Sequence, residues 1–214
     1  TGWTFDINLV DYTPADTTPF ELTPEEQRVV DEHFAERARQ EARFFGHDAA
    51  LIEDAATGRG EAPDDKAAGG RCRVLHIAPG NLNGSETLAF LESAGADALA
   101  VYGTNLVKEP ILSRYPGRIL NMHLGLSPYY RGTGTNFYPL LNEEPEYVGA
   151  TIHLIDPGID SGPIVRHARP EITPDDRPHT IGCKAIAAGI DAMIRSLREL
   201  AAGTLRAVPQ WEVP

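Results

Sequence analysis

The stretch that decides the fold is Arg-Ile-Leu-Asn-Met-His at residues 118–123, where an apolar run ends in two polar side chains. Residues two apart lie on the same face of a strand, so Asn121 and His123 share one face of a predicted strand. In open α/β sheets, ligands bind at the carboxyl ends of the strands. The pair therefore indicates a possible site, although an isolated Asn-x-His pair more often marks a hydrogen-bonded core histidine.

Strands and helices alternate around this stretch. Short apolar runs at 74–78 and 98–102 precede it, with turn and helix patterns between them. Further strands are predicted near 148–155 and 163–169, ahead of an amphipathic helix at about 177–202. This order predicts an α/β fold that is Rossmann-like, with a largely parallel open sheet and flanking helices.

The first part of the chain does not follow that order. An alternating segment at 4–10 predicts a strand, and a capping box at Thr23–Glu26 opens a helix that is expected to end near Phe45. The Gly-, Ala- and Asp-rich segment 56–71 predicts an exposed loop. We expect one catalytic domain over residues 1–214.

Within that domain, residues 1–71 form a divergent, atypical N-terminal part and residues 72–205 the catalytic half.

Composition excludes several classes of function. The chain carries 31 acidic against 19 basic residues and a formal charge of −12, so a nucleic-acid partner is not expected. No apolar run reaches membrane-spanning length and no signal peptide is recognised, which predicts a cytoplasmic protein without membrane contact. Cys72 and Cys183 lie far apart without metal-ligand spacing, so neither a metal nor a disulfide is expected. A small-molecule partner is favoured, and a homo-oligomer is possible.

Two loops rich in glycine follow the predicted strands. The segment 125–136, from Gly125 to Asn136, requires close backbone approach or positive φ, and its N–H groups could hold an anion, although a tight turn is the simpler interpretation. The segment 156–162, Asp-Pro-Gly-Ile-Asp-Ser-Gly, places two carboxylates in one loop, for which a solvated hairpin is the simpler interpretation.

Together these motifs resemble a known family. The order Asn121-Met-His123, Arg131-Gly132, Ala150-Thr-Ile-His153 and then Asp156-x-Gly-x-Asp160-x-Gly is similar to the signature of the folate-dependent formyltransferases. The resemblance covers about residues 72–170. It implies the formyltransferase fold and the transfer of a formyl group from 10-formyltetrahydrofolate to an amine.

The resemblance also implies roles for single residues. Asn121, His123 and Asp160 would be the catalytic trio, with Asn121 and a protonated His123 stabilising an oxyanion and Asp160 moving the amine's proton. The reduced folate would lie against two segments of the chain. Its expected contacts are Leu106, Val107, Lys108, Asp156, Gly158 and Ile159, and the expected substrate contacts are Asn136 and His153. For His153, a structural role in the strand is equally consistent.

The sequence also departs from this family. No phosphate-binding turn precedes the first helix, which argues against glycinamide ribonucleotide, and no basic C-terminal domain is present, which argues against initiator tRNA. A smaller amine is expected instead: an amino sugar nucleotide, an amino acid derivative or a specialised metabolite. Hydrolysis of 10-formyltetrahydrofolate is the first alternative, and a non-catalytic binding module is the second.

Overall fold

The computed structural model describes residues 6–7, 22–57, 73–75, 77–78 and 80–211. The chain divides into two compact units, Thr1–Gly95 and Ala96–Pro214. No helix in these described ranges is both long enough and apolar enough to cross a membrane.

The described residues of the first unit form two helices and a pair of short strands. Helices α1 (Pro24–Thr57) and α2 (Ser85–Ala94) accompany strands β1 (Asp6–Ile7) and β2 (Arg73–Val74), which pair in parallel. The predicted capping box is confirmed. The backbone N–H of Thr23 donates to Glu26 at 2.8 Å, and the backbone N–H of Glu26 donates to the Thr23 hydroxyl at 3.3 Å.

Several predicted boundaries in this unit are wrong. Helix α1 continues to Thr57 instead of ending near Phe45, because the residues that follow are mostly Ala, Leu, Ile, Glu and Asp and include no helix-breaking proline. Strand β2 ends at Val74, so the strand predicted over 74–78 is shorter.

Some predictions in this part of the chain cannot be compared with the structure. Most of the predicted strand at 4–10, most of the predicted loop at 56–71, and Cys72 lie outside the described residues.

The second unit is built on a four-stranded sheet of order β3-β4-β5-β6. Its elements are β3 (Leu99–Tyr102), α3 (Ile111–Arg114), β4 (Ile119–Leu124), α4 (Tyr138–Leu141), a 3-10 turn (Pro145–Tyr147), β5 (Ala150–Leu154), β6 (Ile164–Ala168) and α5 (Pro178–Ala201). The predicted α/β class is confirmed.

The strand directions in this sheet are mixed. Strands β3 and β4 are parallel, whereas β4 with β5 and β5 with β6 are antiparallel. The expectation of a largely parallel sheet therefore does not hold for these four strands. Parallel neighbours need a crossover of a dozen or more residues, usually with a helix that spans the sheet. Between β5 and β6 only residues 155–163 are available, and they form a hairpin.

The alternation of β4 separates the core from the site. Leu120 and Met122 point to the face covered by α5, where they join Ala150, Ile152 and Met193 in a buried cluster. Helix α5 approaches this face closely at Gly189, where an added Cβ would lie 2.9 Å from the Cβ of Ala150 and 2.5 Å from the sulfur of Met122. Asn121 and His123 consequently point to the opposite face.

Candidate active site

Polar side chains occupy the face of the sheet opposite α5. The strand register pairs Asn121 with His153 and His123 with Thr151, so that four polar residues of β4 and β5 lie side by side. His123 and His153 are buried, with 7% and 2% of their surface exposed. Buried polar groups need hydrogen-bond partners, and the chain supplies them from the two loops that follow these strands.

The first of these partners is Asp160, in the hairpin loop between β5 and β6. Asp156 holds this loop together, because its Oδ1 accepts hydrogen bonds from the Gly158 N–H at 3.0 Å and the Ser161 hydroxyl at 2.8 Å. At Gly162 an added Cβ would overlap the carbonyl oxygen of Leu154, so only glycine fits where the loop returns to the sheet.

The structure brings the three predicted catalytic side chains together. Asn121 Nδ2 lies 3.3 Å from Asp160 Oδ1, and His123 Nδ1 lies 3.3 Å from Asp160 Oδ2. Asn121 Nδ2 also lies 3.0 Å from His153 Nε2. The Asp160 carboxylate therefore receives one contact from Asn121 and one from His123, both on β4.

The hydrogen bonds of His123 fix where its protons can be. Its Nε2 lies 3.0 Å from the carbonyl oxygen of Tyr130, which can only accept, so Nε2 carries a hydrogen. In the neutral ring Nδ1 would then be bare and would face Oδ2 of Asp160, another acceptor. The contact is attractive only when one proton lies between the two atoms. His123 and Asp160 therefore titrate as a pair.

The surroundings lower the pKa of both members of this pair. Burial lowers the pKa of His123 more than the Asp160 carboxylate raises it. Burial raises the pKa of Asp160, but His153, His123 and the Gly132 N–H together outweigh it, so the pKa of this carboxyl lies below its usual value. Burial thus favours the neutral imidazole over the protonated form implied by the resemblance. Such a pair can take up and release a proton.

The glycine-rich loop after β4 completes the site. The backbone N–H of Gly132 donates to Asp160 Oδ2 at 3.2 Å, so this loop binds an anion that belongs to the chain itself. Gly125 has φ +98°, and an added Cβ there would lie 2.6 Å from the Cβ of Thr135. Glycine is therefore needed for the chain to turn directly after His123.

A cleft of about 580 Å³ opens beside Asn121, His153 and Asp160. This volume is in the range of small-molecule sites. Of the predicted folate contacts, five line the cleft and Ile159 does not; its side chain is 61% exposed. The five are Leu106, Val107, Lys108, Asp156 and Gly158.

The two predicted substrate contacts are placed differently. His153 lines the cleft. Asn136 does not: its Oδ1 accepts a hydrogen bond from the Gly149 N–H at 2.9 Å, which joins two segments of backbone. Its substrate role stays a prediction without support from this geometry.

Sequence reasoning missed two contributors to the site. One is the backbone carbonyl of Tyr130, which no side-chain pattern could reveal. The other is Gln210, whose Nε2 lies 2.8 Å from the carbonyl oxygen of Asp160. Gln210 follows the last helix and belongs to no recognisable motif.

Acidification is expected to weaken the fold through two histidines. Burial is the first cause of a lowered pKa at both His123 and His167. A lowered histidine pKa means that the unfolded chain binds more protons, so the free energy of unfolding should be highest above about pH 6.5 and fall as the pH drops. Denaturant titrations across this range will measure the slope.

A matched pair of variants tests whether His167 contributes to this pH dependence of the free energy of unfolding. His167 Nε2 donates to the Ser127 carbonyl at 2.8 Å, and Gln can keep this hydrogen bond without titrating, so His167→Gln should flatten the slope. His33→Gln makes the same substitution on the exposed surface of α1 and serves as the control. A free energy of unfolding that stays level or rises on acidification would contradict this assignment.

Comparison with known proteins identifies the family. A family model described as "Formyl transferase" matches residues 31–197, and the chain belongs to this family. Methionyl-tRNA formyltransferase from Solibacter usitatus is 28% identical over 167 residues, which cover 75% of this chain and 53% of that protein. The enzyme of the same name from Anaeromyxobacter sp. (strain K) is 31% identical over 185 residues, 83% of this chain and 59% of that protein. The chain thus spans little more than half the length of these relatives.

Solved structures agree on the fold. Glycinamide ribonucleotide transformylase 1 from Symbiobacterium toebii superposes with a TM-score of 0.53 at 25% identity, over 68% of this chain and 73% of that one. A formyltransferase from Anoxybacillus kamchatkensis superposes with a TM-score of 0.55 at 23% identity, over 66% and 72% of the two chains. That structure contains tetrahydrofolate and UDP-4,6-dideoxy-4-formamido-L-AltNAc.

Proposed function

We propose that this protein transfers a formyl group from 10-formyltetrahydrofolate to the amine of a small molecule. The observation that carries the proposal is the convergence of Asn121, His123 and Asp160, of which Asn121 and Asp160 line the cleft and His123 lies buried behind them. Membership of the formyl transferase family supports the type of reaction. The acceptor is proposed from the acidic charge of the chain, which disfavours a polyanionic partner.

The three side chains divide the reaction between them. The amine nitrogen attacks the formyl carbon, a C–N bond forms and the carbonyl oxygen becomes an oxyanion. Asn121 Nδ2 and His123, when it is protonated at Nδ1, are the donors that stabilise this oxyanion. Asp160 accepts the proton lost by the amine and passes it to the folate nitrogen as the bond from the formyl carbon to that nitrogen breaks. The products are the formamide and tetrahydrofolate, so atoms and protons balance.

Both hydrogens of the Asn121 amide have partners. Nδ2 lies 3.0 Å from His153 Nε2 and 3.3 Å from Asp160 Oδ1. The contact to Asp160 is the longer one and the one that an incoming oxyanion would replace. His153 Nδ1 donates to the Leu154 carbonyl at 2.8 Å, so Nε2 of the neutral ring is the acceptor that orients the amide. We therefore propose that His153 positions Asn121.

The reduced folate is proposed to bind in the 580 Å³ cleft, between the segment 104–108 and the loop 156–160. Leu106 lines the cleft and half of its side chain is exposed to solvent, so a ligand can cover it. Covering it with a flat heterocycle should contribute roughly 1 kcal/mol, about fivefold in affinity. Leu106→Ala is therefore expected to weaken binding of a non-reactive folate analogue about fivefold in calorimetry.

Leu141→Ala is the matched control for that measurement. Leu141 is 63% exposed and lies on α4, outside the cleft lining, so its removal should leave the affinity unchanged. If wild-type protein gives no heat with the analogue at near-millimolar concentration, a different formyl donor is required. If Leu106→Ala and Leu141→Ala lose the same affinity for the analogue, the folate binds at another site.

An acceptor screen tests the transfer itself. Wild-type protein is incubated with 10-formyltetrahydrofolate and candidate amines, and mass spectrometry is used to find an amine that gains one formyl group. Amino sugar nucleotides and amino acid derivatives are the first candidates. Formate released without any amine would instead favour hydrolysis, and tight folate binding without turnover would favour a binding module.

Methionyl-tRNA is the second candidate acceptor. It is favoured by the sequence similarity to methionyl-tRNA formyltransferases, which reaches 37% identity over 91 residues for the Finegoldia magna protein. The same screen should therefore include methionyl-tRNA beside free methionine amide. Formylation of the charged tRNA in preference to every small amine would replace the proposal of a small-molecule acceptor.

A further inference from the structure

The segment that follows α5 reaches back to the site. The backbone N–H groups of Val208 and Ile164 each donate to the carbonyl oxygen of the other residue at 2.8 Å, which joins the segment to β6. Trp211 contacts the ring of Tyr129 edge to face, with centroids 6.2 Å apart. The segment is thus attached both to the sheet and to the loop after β4.

Between these two attachments, Gln210 uses all the hydrogen-bonding groups of its amide. Its Nε2 donates to the carbonyl oxygens of Asp160 at 2.8 Å and Gly162 at 2.7 Å. Its Oε1 accepts from Arg131 Nε at 3.0 Å. One side chain therefore links the loop that carries Asp160 to the loop whose Gly132 N–H binds the Asp160 carboxylate.

The loop needs such support at this point. Asp160 has φ +48°, a left-handed conformation that a residue with a Cβ rarely adopts. A strained conformation of this kind persists only where the surroundings hold it. Gln210 binds the carbonyl of the strained residue itself and a second carbonyl two residues later, so it fixes the backbone from which the carboxylate projects.

We propose that Gln210 is a positioning residue that holds Asp160 against His123 and Gly132. This inference rests on the function proposed above. The family model matches residues 31–197, so Gln210 lies beyond the matched region. Gln210 is thus the residue by which the segment after α5 supports the active site.

Removal of the Gln210 side chain should lower kcat more than it weakens binding of the folate. Gln210→Ala leaves the carbonyls of Asp160 and Gly162 without their donor and frees the loop to relax from its left-handed turn. A displacement of about 1 Å at a catalytic group can cost roughly a hundredfold in rate. We expect kcat to fall about tenfold to a hundredfold while KM for the folate changes less than about threefold.

Two further variants distinguish the loss of the Gln210 hydrogen bonds from a general loss of stability of the fold. Gln210→Glu keeps the size of the side chain and an oxygen for Arg131, but it sets a carboxylate oxygen against two carbonyl oxygens, so its rate should fall at least as far as that of Gln210→Ala. Val208→Ala shortens a side chain that is 61% exposed and keeps both backbone hydrogen bonds, so its rate should equal that of wild type.

A carbon NMR titration of the Asp160 carboxyl, assigned with Asp160→Asn, provides a readout that does not need turnover. The groups that face this carboxyl are His123 on β4, His153 on β5 and the Gly132 N–H. If the loop relaxes, their contacts lengthen and the measured pKa of Asp160 should rise in Gln210→Ala but not in Val208→Ala.

If the pKa of Asp160 is the same in wild type and Gln210→Ala, or if Gln210→Ala keeps the full kcat, the proposed positioning role of Gln210 is overturned. If the wild-type protein transfers no formyl group, the proposed function is refuted. The NMR comparison then still tests whether Gln210 positions Asp160.

Discussion

Asp160→Asn is expected to lower kcat by about 10²–10⁴ while folate affinity stays within about tenfold. The amide preserves the shape of the carboxyl. Its oxygen can still accept from Asn121, and its NH₂ can donate to Nδ1 of a neutral His123. It has no basic oxygen with which to accept the proton of the attacking amine. A loss in kcat without a matching loss in folate binding is the signature of an interaction needed only in the transition state.

Single-turnover formylation and calorimetry with a folate analogue will measure the two quantities. Asp191→Asn makes the same chemical change on the exposed surface of α5 and should keep the full rate. Wild-type enzyme should show a bell-shaped pH profile whose two limbs belong to the His123–Asp160 pair. If Asp160→Asn retains more than about a tenth of the wild-type kcat, a role for Asp160 in proton transfer is untenable.

Asn121→Ala is expected to lower kcat by about 10²–10³, or roughly 2.7–4 kcal/mol of transition-state stabilisation. The variant removes the amide donor that faces Asp160 Oδ1 and His153 Nε2. The developing oxyanion then loses one of its two proposed donors, and His153 loses the partner of its Nε2. Asn121 is proposed to act on the formyl group and not on the rest of the donor, so the folate itself should still bind within about tenfold.

Asn142→Ala is the matched control. Asn142 donates to the hydroxyl of Tyr130 at 3.0 Å, is exposed, and does not line the cleft. Its kcat should therefore stay near the wild-type value. The double variant Asn121→Ala/Asp160→Asn tests whether the two residues act as a unit, in which case its loss should be far smaller than the product of the single losses. A wild-type kcat in Asn121→Ala would exclude an oxyanion role for this residue.

Local patterns accounted for most of the elements that position the site. The alternation in Arg118–His123 predicted a strand with Asn121 and His123 on one face, and β4 runs from Ile119 to Leu124. The capping box at Thr23–Glu26 predicted where α1 begins, within one residue. These features depend on contacts between residues close in sequence, which is why the sequence alone reveals them.

Strand direction and the protonation of the site were decided by contacts between distant residues. The antiparallel order of β4, β5 and β6 depends on the path of the loops that join them, which strand patterns do not encode. The family resemblance implied a protonated His123. Only the structure showed that burial, acting on a ring whose Nε2 already donates to the Tyr130 carbonyl, favours the neutral imidazole.

The sequence by itself determined the α/β class, because residue type and short spacing indicate it, and it carried the family resemblance, which implied the three side chains proposed for catalysis. Tertiary structure alone decided which groups hold those side chains in place. Gln210 lies 50 residues from Asp160 along the chain, and yet its amide donates to the carbonyl of that residue. Such a contact follows from where α5 ends and where β6 accepts Val208, and no local pattern encodes either.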